Sequence, residues 1–162
     1  MQGILVLLLL YPPIYTRLQV EIDTFCAENA DELEYPIQDS LARKLPYLQA
    51  CITEGLRKCT PLFQLRERVV PPEGDLLNGH FVPGGTFVGI NNLATQNADV
   101  FGKDVVMFRP QRWLTADAAR LKHMHQTLDL GFGYGNSKCL GVNLAYMEMN
   151  KIVFEVRTSC NV

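Results

Sequence analysis

The sequence carries almost no excess charge of either sign: 15 Lys and Arg stand against 17 Asp and Glu, for a net charge of −2. That balance excludes a general polyanion-binding surface. Five cysteines (Cys26, Cys51, Cys59, Cys139 and Cys160) make an odd number, and no Cys-x-x-Cys pair occurs. Both facts argue against a secreted disulfide scaffold or a zinc ribbon. A reducing compartment, with most thiols as small buried hydrophobes, is the better reading. No repeat or low-complexity tract is present. No apolar run approaches the ~18 residues that a membrane span needs. The longest aliphatic run, Ile4–Leu10, is seven residues. Its lead-in Met1-Gln2-Gly3 has no basic side chain, and Tyr11-Pro12-Pro13 offers no small-residue cleavage site. The run therefore reads as part of a buried helix.

What is present suffices for a core. The chain has 162 residues, 48% of them apolar, and domains cluster around ~100–150 residues. Pro12 or Pro13 can open a helix, and Ile14, Leu18, Ile22 and Phe25 give it one apolar face. Residues 27–44 are acidic at first and read as a surface connection. A second helix starts near Pro46 with a stripe of Leu48, Ile52, Leu56 and Cys59, and Pro61 stops it. Arg66–Val70 reads as a strand, followed by a turn at Pro71-Pro72-Glu73-Gly74. Phe81-Val82, Pro83-Gly84-Gly85 and Thr86–Ile90 read as strand, tight turn and strand. Residues 93–138 read as irregular. A last helix over 140–156 repeats Val142, Tyr146, Met149, Val153 and Val156. The fold class is α+β, mainly helical.

Three segments carry chemistry. Phe132-Gly133-Tyr134-Gly135-Asn136-Ser137-Lys138-Cys139-Leu140-Gly141 sets a cysteine just before an amphipathic helix, among glycines that let backbone approach a flat ligand. A sulfur there meets unpaired N–H groups and the positive end of the helix dipole, which suits a ligand or a nucleophile. Glu54 and Arg57 are three apart on the second helix and share a face. Phe108-Arg109-Pro110-Gln111-Arg112-Trp113 adds an arginine whose planar fork fits a buried carboxylate.

Taken in order, Glu-x-x-Arg, Phe-x-Pro-x-Arg-Trp and Phe-Gly-x-Gly-x-x-x-Cys-x-Gly resemble the C-terminal part of a cytochrome P-450, a haem-thiolate monooxygenase. The resemblance runs from about Leu5 to Val156 and is most similar to filamentous-fungal members, so a role in secondary metabolism is expected. It implies that Pro12 through Asp23 is the family's J helix, Leu45 through Arg57 its K helix, and the segment bearing Ala145 and Glu148 its L helix, with a small sheet and a cysteine haem-binding loop. The Leu run before Pro12 would be the tail of the I helix. Cys139 would be the axial ligand of a haem b iron. Phe132, Gly133, Gly135 and Gly141 would shape the cradle, and Arg68 would meet a haem propionate. Glu54, Arg57 and Arg112 would form the family's buried charge triad, and Leu62, Phe63 and Leu65 would line the substrate pocket. Reducing equivalents would come from NADPH through a reductase, with Lys138 on the docking face, and the intact relative would sit on the endoplasmic reticulum membrane. The implied reaction inserts one atom of O2 into a small organic substrate. Nucleic acid is not among the expected partners.

Two positions depart from the family. Ser137 stands where an arginine or histidine usually meets a propionate, and Gln111 replaces a glutamate. The oxygen-activating acid and threonine have no counterpart here. Residues 1–162 therefore read as a partial domain cut at both ends, without its own anchor and not independently active. Three other readings stand beside this one. A non-catalytic remnant that binds no haem would leave apolar surface exposed. A zinc site from His80, His123 and His125 would need an extended 123–125 segment and lacks a metalloenzyme pattern. Cys139 as a hydrolase or redox nucleophile lacks an evident partner histidine.

Overall fold

A computed structural model describes residues 2–31, 33–60 and 65–159. The chain opens with α1 (Gln2–Leu10), α2 (Pro12–Glu28), α3 (Asp39–Ala42) and α4 (Pro46–Lys58). Four short strands follow: β1 (Arg66–Val69), β2 (Asp75–Leu77), β3 (His80–Val82) and β4 (Phe87–Ile90). Then come α5 (Asn92–Gln96), α6 (Arg112–Thr115), α7 (Ala118–Asp129) and the long α8 (Val142–Ser159). Single 3-10 turns at Asp99–Phe101, Leu130–Phe132 and Gly135–Ser137 punctuate the connections.

α4 is the axis of the core. Pro46 occupies its first turn, where no N–H is needed, and α1, α2, α6 and α8 pack around it. Every residue from Tyr47 to Arg57 except Gln49 is buried. Gly55 is what lets α1 cross so near. A Cβ there would lie 2.5 Å from the Ile4 side chain, and Ile4 is itself buried. Leu18 and Ile22 of α2 and Met149, Val153 and Phe154 of α8 complete the apolar shell. Each such side chain contributes roughly 1.5–3 kcal/mol by leaving water.

The start of α4 has no cap of its own; a side chain from α2 supplies one. Glu21 accepts hydrogen bonds from the backbone N–H groups of Tyr47 and Leu48, both at 2.8 Å. A carboxylate at a helix start satisfies orphan donors and matches the dipole. Glu21→Gln keeps one acceptor but drops the charge. We expect it to lower stability by about 1 kcal/mol, read as a shifted midpoint with unchanged slope in urea unfolding.

The expected surface connection over 27–44 is tied down more than its acidity suggests. Ile37 and Ala42 are fully buried. Glu155 of α8 accepts from the Ile37 N–H at 2.6 Å, and buried Asn150 donates to Asp39 at 2.6 Å while accepting from Gln49 at 2.9 Å. The strands also pair differently from the expected 81–90 hairpin. β2 and β3 form the hairpin, turning at Asn78 and Gly79 with φ of 51° and 81°. This is the backbone that an Asn-Gly turn favours. β4 instead pairs antiparallel with β1, Arg68 opposite Val88. The Pro83-Gly84-Gly85 turn passes close over the carbonyls of Pro71 and Pro72, where only glycine fits at 84. Residues 93–138, expected to be irregular, contain the regular helix α7, capped by Asp117 accepting from the Arg120 N–H at 2.9 Å.

Candidate functional site

The centre of the site is a carboxylate without water. Glu54 and Arg57 face the same side of α4, and both side chains are fully buried. Glu54 Oε1 accepts from Arg57 Nη2 at 2.8 Å, Arg112 Nε at 3.0 Å and the Arg109 backbone N–H at 3.0 Å. Its Oε2 accepts from Arg57 Nε at 3.0 Å and Trp113 Nε1 at 2.9 Å. The pair is therefore not the exposed helical ion pair that its spacing alone would allow; such a pair would contribute ~0–1 kcal/mol. Arg57 continues outward to the carbonyls of Gln96 at 2.9 Å and Met107 at 3.1 Å. Arg112 reaches the carbonyls of Phe101 and Asp104 and the Asp104 carboxylate. One buried cluster thus binds α4 to the whole 96–113 stretch, whose own secondary structure is slight.

Sequence reasoning identifies Glu54, Arg57 and Arg112. It misses Trp113 as a donor, the Arg109 N–H, and Asp104. The signal for Trp113 is its place beside Arg112 in the motif. The run Phe101-Gly102-Lys103-Asp104 resembles the family's loop before the haem-binding region, but no local spacing links Asp104 to Arg109 and Arg112, five and eight residues on.

Asp104 has a consequence in acid. The hydrogen bond from Arg109, then that from Arg112, holds its carboxyl down at about 2, although partial burial pushes the other way. A depressed carboxylate contributes stability above its ordinary value near 3.8, and that contribution is lost as pH falls from there through about 2. Asp104→Asn is expected to be less stable at neutral pH and to lose less stability between pH 4 and 2. Urea midpoints measured at stepped pH would read this; parallel curves for the two proteins would contradict it.

The cysteine loop is built from the 3-10 turn at Leu130–Phe132. Gly133, with φ of 86°, ends that turn, and its N–H donates to the Leu130 carbonyl at 3.0 Å. The loop closes where the Cys139 N–H donates to the Phe132 carbonyl at 2.8 Å. Phe132 is buried, and its ring packs on Tyr146 of α8 with centroids 5.9 Å apart. Residues 134 to 141 are all exposed. Among the described cysteines, Cys51 is buried, Cys26 and Cys59 are partly buried, and Cys139 alone is exposed. Burial raises the Cys51 thiol far above its ordinary value, which makes it inert. The position that a Cβ would take on Gly141 lies 3.9 Å from the Cys139 sulfur, an ordinary contact distance.

Beside the loop lies a cavity of about 420 Å³. One wall is the sheet (Arg68, Val88 and Ile90), and the other is Leu130, Gly133 and Tyr134. Arg68 is the single cation in this largely apolar lining. Tyr134 in this lining is 83% exposed, and farther along the chain Leu140 at 101% and Leu144 at 54% also have little cover.

The sequence model of the cytochrome P450 family matches residues 1–156. The chain belongs to this family. It is 42% identical over 157 residues to the cytochrome P450 monooxygenase ABA1 of Pyricularia oryzae, covering 96% of this chain and 30% of that relative. It is 39% identical over 153 residues to abl1 of Leptosphaeria maculans, covering 94% and 26%. It is 40% identical over 146 residues to ACRTS1 of Alternaria alternata, covering 90% and 38%. All three relatives are fungal and are named cytochrome P450 monooxygenases. The chain spans about a third of their length.

The donors present in this P450 chain suit the family's haem in chemistry. Among the described residues, no group of three His, Cys, Asp or Glu could hold a metal ion. A lone exposed sulfur can keep a metal only if the metal brings most of its ligands with it, as iron does in a porphyrin. The apolar cavity wall, the single basic residue on it and the uncovered Tyr134, Leu140 and Leu144 match a flat apolar ring with an acidic edge. Leu65 is exposed; Leu62 and Phe63 lie outside the described residues. His123 and His125, two apart on α7, point to different sides of the helix, and His125 packs on Trp113 at 5.0 Å. The extended geometry that a zinc pair would need is therefore not formed. No single helix among the described residues is long and apolar enough to cross a membrane.

Proposed function

We propose that this chain is the haem-binding portion of a fungal P450 monooxygenase, with α2, α4 and α8 as the family's J, K and L helices and Cys139 as the axial thiolate. The observation that carries the reading is that Cys139, the one exposed cysteine among the described residues, ends a glycine loop whose backbone is closed by its own N–H. Phe132 anchors that loop in the core, and Gly133, Gly135 and Gly141 keep it open to a ring. Arg68, on the sheet wall of the cavity, would meet a haem propionate. Glu54, Arg57 and Arg112 act at a distance by fixing the 96–113 stretch, whose Gln96 donates to the Leu128 carbonyl just ahead of the loop's first turn. With haem bound, N–H groups at the start of α8 would orient the sulfur and tune its donation to iron.

When bound, haem b supplies the chemistry by which one oxygen atom of O2 enters an organic substrate, with electrons from NADPH through a reductase. The chain's own part is to hold the ring and fix the sulfur. For the longer protein, the proposal includes a small organic substrate of secondary metabolism and residence at the endoplasmic reticulum membrane.

Trp113 gives a direct test, because it is the single tryptophan of the chain. Titration with haemin should quench its fluorescence and saturate at equimolar haem, and Arg68→Ala should weaken the binding. Quenching that never saturates would favour the remnant that binds no haem.

A further inference from the structure

Away from the cysteine loop, the surface side of the charge cluster has a notch at Gly102. This residue takes φ of 97° after the 3-10 turn at Asp99–Phe101. At the point a side chain would occupy on it, three charged atoms converge: Arg120 Nη2 at 2.9 Å, Asp104 Oδ1 at 3.3 Å and Arg112 Nη1 at 4.0 Å. The notch opens into a cavity of about 390 Å³ whose charged lining is Lys103, Asp104, Arg109, Arg112 and Arg120. Four cations thus face one carboxylate, on a chain whose net charge is −2. Asp117 at the start of α7 also acts on Arg120, and the balance stays positive with it counted.

The donors are not used up. Among the described residues, the Arg120 side chain donates only from Nε, to the Val100 carbonyl at 3.0 Å. That of Arg109 donates only from Nη1, to Asp104 at 2.6 Å. Lys103 is exposed. Arg112 is committed to Glu54, Asp104 and backbone carbonyls, so it adds field without free donors. The Asp104 carboxylate is held by two arginines and is the weaker opponent for it.

We propose that the Gly102 notch binds a phosphate-type oxyanion, held by the free guanidinium donors of Arg120 and Arg109 with Lys103 closing over it. Guanidinium forks match the spacing of phosphate oxygens, and several separate cations suit a tetrahedral anion better than a planar carboxylate. The bound anion ties the 102–104 turn to α7, the helix that runs into Leu130–Phe132. It therefore stabilises the segment that carries the cysteine loop, by mass action on the folded state. The phosphate is either free or carried on a lipid headgroup, and the two sources share this chemistry.

Inorganic phosphate is titrated calorimetrically into the chain, with acetate at matched ionic strength as the comparison. Saturable heat with phosphate and not with acetate is expected. Arg120→Gln and Lys103→Gln should each weaken it by about tenfold, while Lys122→Gln, outside the cavity on the same helix, leaves it unchanged. Lys103 is exposed, so its variant stays informative if Arg120→Gln disturbs folding, which far-UV circular dichroism reads. Vesicles of phosphatidylcholine containing phosphatidic acid form the second arm. Sedimentation with them that depends on Arg120, without saturable free phosphate, assigns the site to a headgroup. Equal response to phosphate and acetate with no Arg120-dependent vesicle binding would overturn the proposal. So would a glutamate-rich peptide that displaces phosphate at lower concentration than phosphate itself binds.

Discussion

Arg57→Ala is expected to lower the unfolding free energy by about 3–5 kcal/mol, measured by urea denaturation. The cost is not a sum of separate hydrogen-bond contributions. Arg57 is the bidentate partner of Glu54, and both side chains are fully buried, so removing it leaves a carboxylate in a dry interior with Arg112 as its remaining cation. It also frees the carbonyls of Gln96 and Met107, which Arg57 now satisfies. A domain's whole stability is roughly 5–15 kcal/mol, so the variant sits near the limit of folding. Arg57→Lys keeps the charge but replaces the fork with a point charge, and it should recover part of the loss. A double-mutant cycle with Arg112→Ala tests the coupling. The two guanidiniums share Glu54 Oε1, so their effects should be strongly non-additive. A change within about 0.5 kcal/mol for Arg57→Ala, the size of an ordinary surface substitution, would contradict the account.

Cys139→Ala is expected to do the reverse: abolish thiolate-ligated haem and leave the fold alone. Cys139 is exposed, and its backbone N–H, which closes the loop onto Phe132, survives the substitution. Unfolding should therefore shift by no more than about 0.5 kcal/mol. Substituting Cys26, Cys51 or Cys59 should leave the haem spectrum in place, although Cys51→Ala leaves a small void in the core. The contrast between Arg57 and Cys139 separates a residue that holds the scaffold from one that holds the cofactor. Equal loss of stability in both variants would erase that distinction.

Much of this is legible in the sequence because the relevant signals are local. The spacing of Glu54 and Arg57 implies their shared face, Pro46 marks the start of α4, and the glycines around Cys139 mark the loop. The rest depends on partners far apart in the chain. The Glu21 cap on α4 joins residues 26 and 27 positions apart, and no helix periodicity reports it. The pairing of β1 with β4 brackets the Asn78-Gly79 hairpin and is closed by backbone bonds from Val70 to Thr86 and from Gly85 to Val70. The local pattern marks 81–82 and 87–90 as strands, but it pairs them with each other because the Pro83-Gly84-Gly85 turn lies between them. α7 escapes a periodicity reading because its core face is narrow: Met124 and Leu128 are its buried residues, too few for a strong apolar stripe. The acidic 27–44 connection conceals Ile37, whose N–H is held by Glu155 from the last helix.

The central claim is that the sulfur of Cys139 is the ligand of a haem iron, and carbon monoxide reads that bond directly. The chain reconstituted with haem, reduced and exposed to carbon monoxide should show the long-wavelength Soret band of a thiolate-ligated haem, and Cys139→Ala should show none. A band at the shorter wavelength of a nitrogen-ligated haem in the unsubstituted chain, or a long-wavelength band that survives Cys139→Ala, would contradict the account.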